Sequence, residues 1–417
     1  MTDGLPDSPP GPEDAAGKST LAGKFTLTGR PTAAFIDLDT LGENFSKYAS
    51  SLGPGRELAG VVKAEAYGHG ARETAAAFVR AGAGWLAVAT VEEGEDLRRS
   101  AGSGPPGEVR ILVMSGASPR LAPRVVAADL DAVIWDADQA EALSEAATSV
   151  SRTARVHLKV DSGMRRLGIP PGEVADFLRR AGAMPGLEAT GLMSHLARAD
   201  EDDGGPPTRA QFEVVRSLTE ELKVAGLLPP IVHTANSAGG LNFPDALGGL
   251  SRAGIALYGC PPPQAPGIGL RPAMTLKSAL IQVKEVAAGE AIGYGGTYRR
   301  SASGRIAIVP IGYADGYPRL LSNRADALVR GKRVPLAGRV SMDMIALDVT
   351  DAGDVAAGDE AVVIGGQGEE RITFEELAAR TQTITYEIMS GVGVRVPRVF
   401  CREGRVVGVR ALGGAGA

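Results

Sequence analysis

Between about residues 55 and 258, short apolar runs alternate with Ala-rich stretches of helical period, and this alternation constrains the fold more than any other feature. Strands are expected near Gly60–Lys63, Trp85–Ala89, Val109–Met114, Ala132–Trp135, Val156–Asp161, Thr190–His195, Ile231–Thr234 and Arg252–Ala256. Helices such as Arg72–Ala81, Asp138–Ala147 and Ala210–Val224 fall between them. Eight such units in roughly 200 residues favour an α/β fold closed as a (β/α)8 TIM barrel over an open doubly wound sheet.

The flanks have a different texture. Phe35–Gly53 adds one strand and one helix ahead of the barrel. Past about Leu270 long helices give way to β-rich runs, including Arg305–Ile311, Val334–Pro335, Met344–Val349 and Ala361–Ile364, interrupted by a short helix at Phe374–Arg380. The expected organisation is a disordered tail over residues 1–20, the barrel with its preceding strand and helix over 21–270, and a C-terminal mainly-β domain over 271–417. A chain of 417 residues exceeds one typical core and fits such a division.

Charge and composition exclude several partners. A net charge of −5 gives no electrostatic case for nucleic acid or an anionic membrane surface. Two cysteines, Cys260 and Cys401, cannot build a disulfide framework, and no CxxC spacing suggests a metal site, so none is expected. No apolar run approaches the roughly 20 residues that span a bilayer. The opening MTDGLPDSPPGPEDAAGKST lacks a basic start and an apolar stretch, so it reads as a polar tail and not a secretory signal. A cytoplasmic location is expected.

Barrel chemistry is built at the carboxyl ends of the strands, and unusual residues collect there. Lys63 ends the first strand, Lys159 and Asp161 the fifth, and His195 the sixth. His233 and Asn236 fall at or past the end of the seventh, and Gly254 near the end of the eighth. Strand alternation points His157, Lys159 and Asp161 inward. A buried Lys159–Asp161 ion pair with a purely structural role explains that strand as well as chemistry does. Lys63 follows the apolar Ala59-Gly60-Val61-Val62, where desolvation would lower its pKa and favour imine formation, although a snorkelling surface lysine is the commoner fate. Ser251-Arg252-Ala253-Gly254-Ile255 and Asn236-Ser237-Ala238-Gly239-Gly240 supply small loops after the last two strands, the usual phosphate site of this architecture.

Taken in order, VVKAEAYGHG, HLKVDSGMRRLGI, GLMSHLARAD, HTANSAG, SRAGIALYG, AIGYGGTY, VPIGYADGY, GRVSMDM and TITYEI resemble the alanine racemase family of pyridoxal phosphate (PLP) enzymes, from Val61 to Ile388. The resemblance implies that Lys63 holds PLP as an imine and that Tyr294 is a second base from the partner subunit of a homodimer. It implies that Arg252 bonds the pyridine nitrogen, that Tyr67, Ser237, Gly254, Ile255 and Tyr386 hold the phosphate, and that His195 lies against the ring. Arg166 and the Met342 backbone would bind the substrate carboxylate, and Lys159 matches a lysine that is carbamylated in many members. Glu65, Arg165 and Ser341 depart from the family's usual residues.

The implied chemistry is interconversion of L- and D-alanine, with one base on each face of Cα, supplying D-alanine for peptidoglycan. A phenol serves as base only if nearby cations draw its pKa down from about 10. A racemase of serine or of several small amino acids carries the same residues. A non-catalytic PLP-binding barrel needs neither the β domain nor Tyr294.

Overall fold

In the computed structural model, which describes residues 28–100, 109–201, 205–244 and 248–412, strand β1 (Ala33–Asp37) and the helix Leu38–Ser51 lead into eight parallel strands. These are β2 (Glu57–Val61), β3 (Trp85–Val88), β4 (Arg110–Val113), β5 (Asp131–Ile134), β6 (Ala154–Lys159), β7 (Leu187–Met193), β8 (Ile231–His233) and β9 (Leu250–Ala253). They pair in the order β8-β7-β6-β5-β4-β3-β2-β9. Gly249 N–H donates to Val232 O at 2.9 Å and Arg252 N–H to Ala235 O at 3.0 Å, which draws β9 against β8 and closes the ring. The expected tail over 1–20 lies outside the described residues.

Both faces of these strands are covered, and their composition shows it. Every residue of β3 (WLAV) and β5 (DAVI) is buried, as parallel strands under a helical layer require. Helix Ala71–Arg80 lays Phe78 against Gly60, where a Cβ would come within 2.6 Å of the Phe78 ring. Asp136 caps helix Ala137–Ser149 by accepting from Gln139 N–H at 2.9 Å, so the loop from β5 turns sharply into its helix.

β1 precedes the barrel in sequence but joins the other domain. It pairs antiparallel with Met274–Ala279 and parallel with Arg398–Arg402, inside the large C-terminal sheet. The physical reason is edge availability. A closed ring offers no free ladder for a ninth strand, whereas the C-terminal strands present open edges. A second sheet of Gln282–Val286, Gly304–Val309 and Ile345–Asp348 completes that domain, with a hairpin of Ala291–Ile292 and Tyr298–Arg299. The helix expected at Phe374–Arg380 spans Phe374–Thr381 and is followed by a second, Thr385–Ser390.

Arg398 fastens the two domains. Its buried guanidinium donates to Gly68 O at 3.0 Å in the loop after β2, and to Val392 O, Gly393 O and Val396 O on its own side. Burial presses its pKa down to about 10, and no carboxylate is among these partners. Arg398→Leu leaves Gly68 O, Val392 O and Val396 O without this donor in buried positions, while Gly393 O keeps the Val396 N–H at 3.1 Å. It should lower unfolding free energy by about 3 kcal/mol in a denaturant titration, and loss below about 1 kcal/mol would show that the clamp is dispensable.

Candidate active site

Lys63 leaves β2 into a turn of unusual backbone. Ala64, Glu65, Ala66 and Tyr67 all have φ between 51° and 54°, a left-handed turn made without glycine. Each such residue costs roughly 1–2 kcal/mol. The surroundings hold it: Ala64 N–H donates to Glu93 Oε1 at 2.7 Å, Ala66 N–H to Val62 O at 2.9 Å and Gly70 N–H to Glu65 O at 2.8 Å. Glu65 itself faces outward, accepting from Ala71 N–H at 3.2 Å and pairing with Arg410 at 2.7 Å, so its bulk is turned away from the lysine. His69, buried and pressed neutral with a pKa of about 4, donates from Nδ1 to Tyr67 O at 3.0 Å and braces the turn. Burial lowers the Lys63 pKa, Arg166 lowers it further, and Glu93 opposes both.

Opposite this turn lies a cradle of small groups. Ser237 Oγ accepts from Gly254 N–H at 2.9 Å and is buried. Ile255 opens the tight turn Ile255–Tyr258 that follows. A Cβ on Gly254 would stand 2.3 Å from the Tyr67 hydroxyl, so only glycine lets the two loops meet. The Tyr386 ring sits 6.0 Å from that of Tyr67, and burial raises both phenols, keeping them as proton donors. Two residues that carried no sequence signal support the cradle from the helix Leu38–Ser51. Tyr48 donates to Ser237 O at 3.0 Å, and Asn44 donates to Leu257 O at 3.0 Å.

Arg252, near the end of β9 and two residues before Gly254, is buried, and desolvation lowers its pKa to about 9, leaving it cationic at neutral pH. Nη1 donates to His233 Nδ1 at 2.8 Å, and Nη2 to Ser194 O at 2.9 Å, Thr234 O at 3.2 Å and His195 Nδ1 at 3.3 Å. Its Nε–H has no protein acceptor among the described residues. Burial first, and then the nearby Arg252, Lys159, Arg166 and Lys63 side chains, hold His195 neutral. Lys159 is buried with no hydrogen-bond partner at Nζ, and burial with Arg252 and Arg166 drives its pKa far down.

The inward-facing trio on the fifth barrel strand is corrected in one member. β6 ends at Lys159, and Asp161 accepts from Gly163 N–H at 2.9 Å and Arg165 N–H at 3.0 Å, with Arg165 as its ion-pair partner at 3.8 Å. The loop's need for a carboxylate cap outweighs strand alternation, so no Lys159–Asp161 pair forms among the described residues.

Tyr294 and Met342 are carried by the C-terminal domain and make none of these contacts. Tyr294 is 70% exposed on a turn whose glycines Gly293, Gly295 and Gly296 all have positive φ. Met342 is 52% exposed, with its carbonyl accepting from Ala314 N–H at 3.0 Å. Arg166 is exposed at the barrel mouth, near enough to depress Lys63, Lys159 and His195.

The opposed charges around Lys63 give a direct test in cofactor-free protein. Glu93→Gln removes the anion that raises the amine, so the midpoint of Lys63 labelling by an amine-selective reagent should move to lower pH. Arg166→Gln should move it to higher pH, since a neighbouring cation disfavours the charged amine. Peptide mass spectrometry reads both, and shifts of the same sign would contradict the arrangement.

This geometry coincides with similarity along nearly the whole chain. Residues 36–262 match the family model described as alanine racemase, N-terminal domain, and residues 273–400 match alanine racemase, C-terminal domain. An alanine racemase of Symbiobacterium thermophilum is 44% identical over 90% of this chain and 98% of the relative, and one of Syntrophobacter fumaroxidans is 45% identical over 86% and 94%. The solved structure of alanine racemase from Clostridium difficile superposes with a TM-score of 0.84 at 32% identity, covering 91% of this chain and 98% of that one. The structure from Bacillus anthracis with bound L-Ala-P gives 0.84 at 35% identity, covering 91% and 97%. The chain belongs to the alanine racemase family.

Proposed function

We infer that this chain is a PLP-dependent alanine racemase that interconverts L- and D-alanine and supplies the D-enantiomer for peptidoglycan. The observation that carries the reading is the convergence at one barrel mouth of a desolvated lysine amine, a cradle of Ser237, Gly254 and Tyr67, and a buried guanidinium with an uncommitted donor. The cradle fits a phosphate. It is built of a hydroxyl, a phenol and a backbone amide, and the glycine that a Cβ would block stands at its centre.

Tyr67, Ser237, Gly254, Ile255 and Tyr386 would hold the phosphate, and Arg252 would present Nε–H to the ring nitrogen with His195 against the ring. PLP, when bound, draws electrons from the substrate Cα and acidifies its proton. The residues of the chain do the rest. Lys63, whose amine burial and then Arg166 make easier to deprotonate, moves a proton on one face of Cα. Because Arg252 stays cationic, it donates to the ring nitrogen without surrendering a proton, which restrains the electron sink and disfavours side reactions.

The opposite face needs a second base, and the exposed Tyr294 on its glycine turn is supplied, in this reading, by a second copy in a homodimer. Met342, through its backbone, and Arg166 would orient the alanine carboxylate. A carbamate on Lys159 would turn an orphaned buried amine into an anion able to pair with Arg166. No helix among the described residues is long and apolar enough to cross a membrane, and a cytoplasmic site suits a D-alanine supply made ahead of wall assembly.

Purified protein should show the visible absorption of bound PLP and lose it, with all racemisation, in Lys63→Ala. A colourless wild-type protein with no alanine turnover would overturn the assignment. Tyr294→Phe should reduce conversion from L-alanine by about 10²–10⁴-fold while exchange of the D-alanine Cα proton with solvent, measured by NMR in deuterated buffer, persists. Equal retention of both activities would remove Tyr294 from proton transfer.

A further inference from the structure

Beneath Arg252, a file of buried polar groups runs down the barrel interior that no step above employs. Arg252 Nη1 lies 2.8 Å from His233 Nδ1, and His233 Nε2 lies 2.7 Å from His157 Nδ1. His157 Nε2 stands 3.7 Å from Asp131 Oδ1, longer than an ordinary hydrogen bond, so that edge of the imidazole faces the carboxylate without a close contact. All four side chains are buried. Asp131 opens β5 at the amino end, so the file crosses the barrel from the mouth toward its opposite end.

Donor chemistry permits one polarity along it. A guanidinium only donates, so His233 Nδ1 must be bare and its proton must sit on Nε2. That proton is donated to His157 Nδ1, which places the His157 proton on Nε2, facing the carboxylate. Burial holds both imidazoles neutral, with Arg252 acting in the same direction on each, so each has one donor and one acceptor to spend. Burial would raise the Asp131 carboxyl, but His157 and Arg110 hold it ionised, and Arg155 Nε also approaches at 3.3 Å.

Packing forbids an easy escape from this register. The Trp85 ring meets His157 edge-on with centroids 5.6 Å apart, and the Arg110 guanidinium lies 4.1 Å over Trp85. On the other side stands Gly191, where a Cβ would come 2.1 Å from His157 Nδ1. The histidine is seated in a slot that glycine leaves open.

We propose that His157 and Asp131 are positioning residues, which fix the proton polarity of this file and thereby hold Arg252 in the orientation that leaves its Nε–H uncommitted toward the ring nitrogen. The proposal rests on the role given above to Arg252. The imidazole spectra described next need no catalysis, so their failure is separable from failure of the racemase reading.

The chain contains four histidines, which makes 15N-resolved NMR of their side chains tractable. His157 and His233 should both appear as neutral Nε2–H tautomers at pH 7, with and without PLP. In Asp131→Asn an amide can donate to His157 Nε2, so part of His157 should convert to Nδ1–H and kcat should fall about 10-fold or more, the usual scale for an outer support, with KM for alanine little changed. Asp131 also anchors Arg110 and Arg155, so a second pair keeps the test decisive if that variant fails to fold. His157→Phe removes the acceptor that His233 requires and should also lower kcat about 10-fold or more. His157→Asn places an amide oxygen where Nδ1 stands and should recover most of the loss. An Nδ1–H tautomer for His157 in the wild-type protein, or full kcat in folded His157→Phe, would overturn the proposal.

Discussion

A guanidinium is buried at the carboxyl end of the barrel with no carboxylate beside it among the described residues, and much of the site is arranged around that cost. Desolvation alone lowers Arg252 to about 9, and a buried charge persists only where donors find acceptors. The acceptors are two backbone carbonyls, Ser194 O and Thr234 O, and two imidazole nitrogens. Neutral histidines accept without cancelling the charge, so the cation survives with its field intact. Burial first, and that field second, keep His195, His233 and Lys159 uncharged. The barrel mouth thus combines a buried cation with an amine and imidazoles that are held neutral.

The lysine turn solves a different problem. Four consecutive residues of positive φ would not persist alone. They are held by Glu93 from the first turn of the helix Val91–Ser100 and by Arg398, which reaches from the C-terminal domain to Gly68 O. The Lys63 amine is therefore placed by groups distant in sequence. β1 threads the large C-terminal sheet before the chain turns back through Leu38–Ser51, whose Tyr48 and Asn44 steady the loops at Ser237 and Leu257. The two domains are laced through the site and not merely joined by a linker.

Much of this was legible residue by residue. The alternation of apolar runs predicts eight strands, and their ends carry Lys63, Lys159, His195, Ser237, Arg252 and Gly254 because chemistry in a barrel has one face to occupy. Glu93, Tyr48 and Asn44 were not legible, since a helix-start glutamate and two residues of an amphipathic helix look like ordinary caps and core. Asp161 was misplaced because period-2 alternation says where a side chain points only while the strand lasts, and β6 ends two residues earlier. The left-handed turn had no signal either, as Ala-Glu-Ala-Tyr has no intrinsic preference for it.

Local pattern, by itself, determined the fold class, the order of the elements and the types of residue at the barrel mouth, because hydrophobic period and strand ends are properties of nearby residues. Tertiary structure alone decided which sheet receives β1, which way Glu65 and Asp161 turn, and that His157 and Asp131 lie in line beneath Arg252. Those outcomes depend on ring closure and on contacts between segments far apart in the chain, where the balance of desolvation against hydrogen bonding is struck only once the walls are in place.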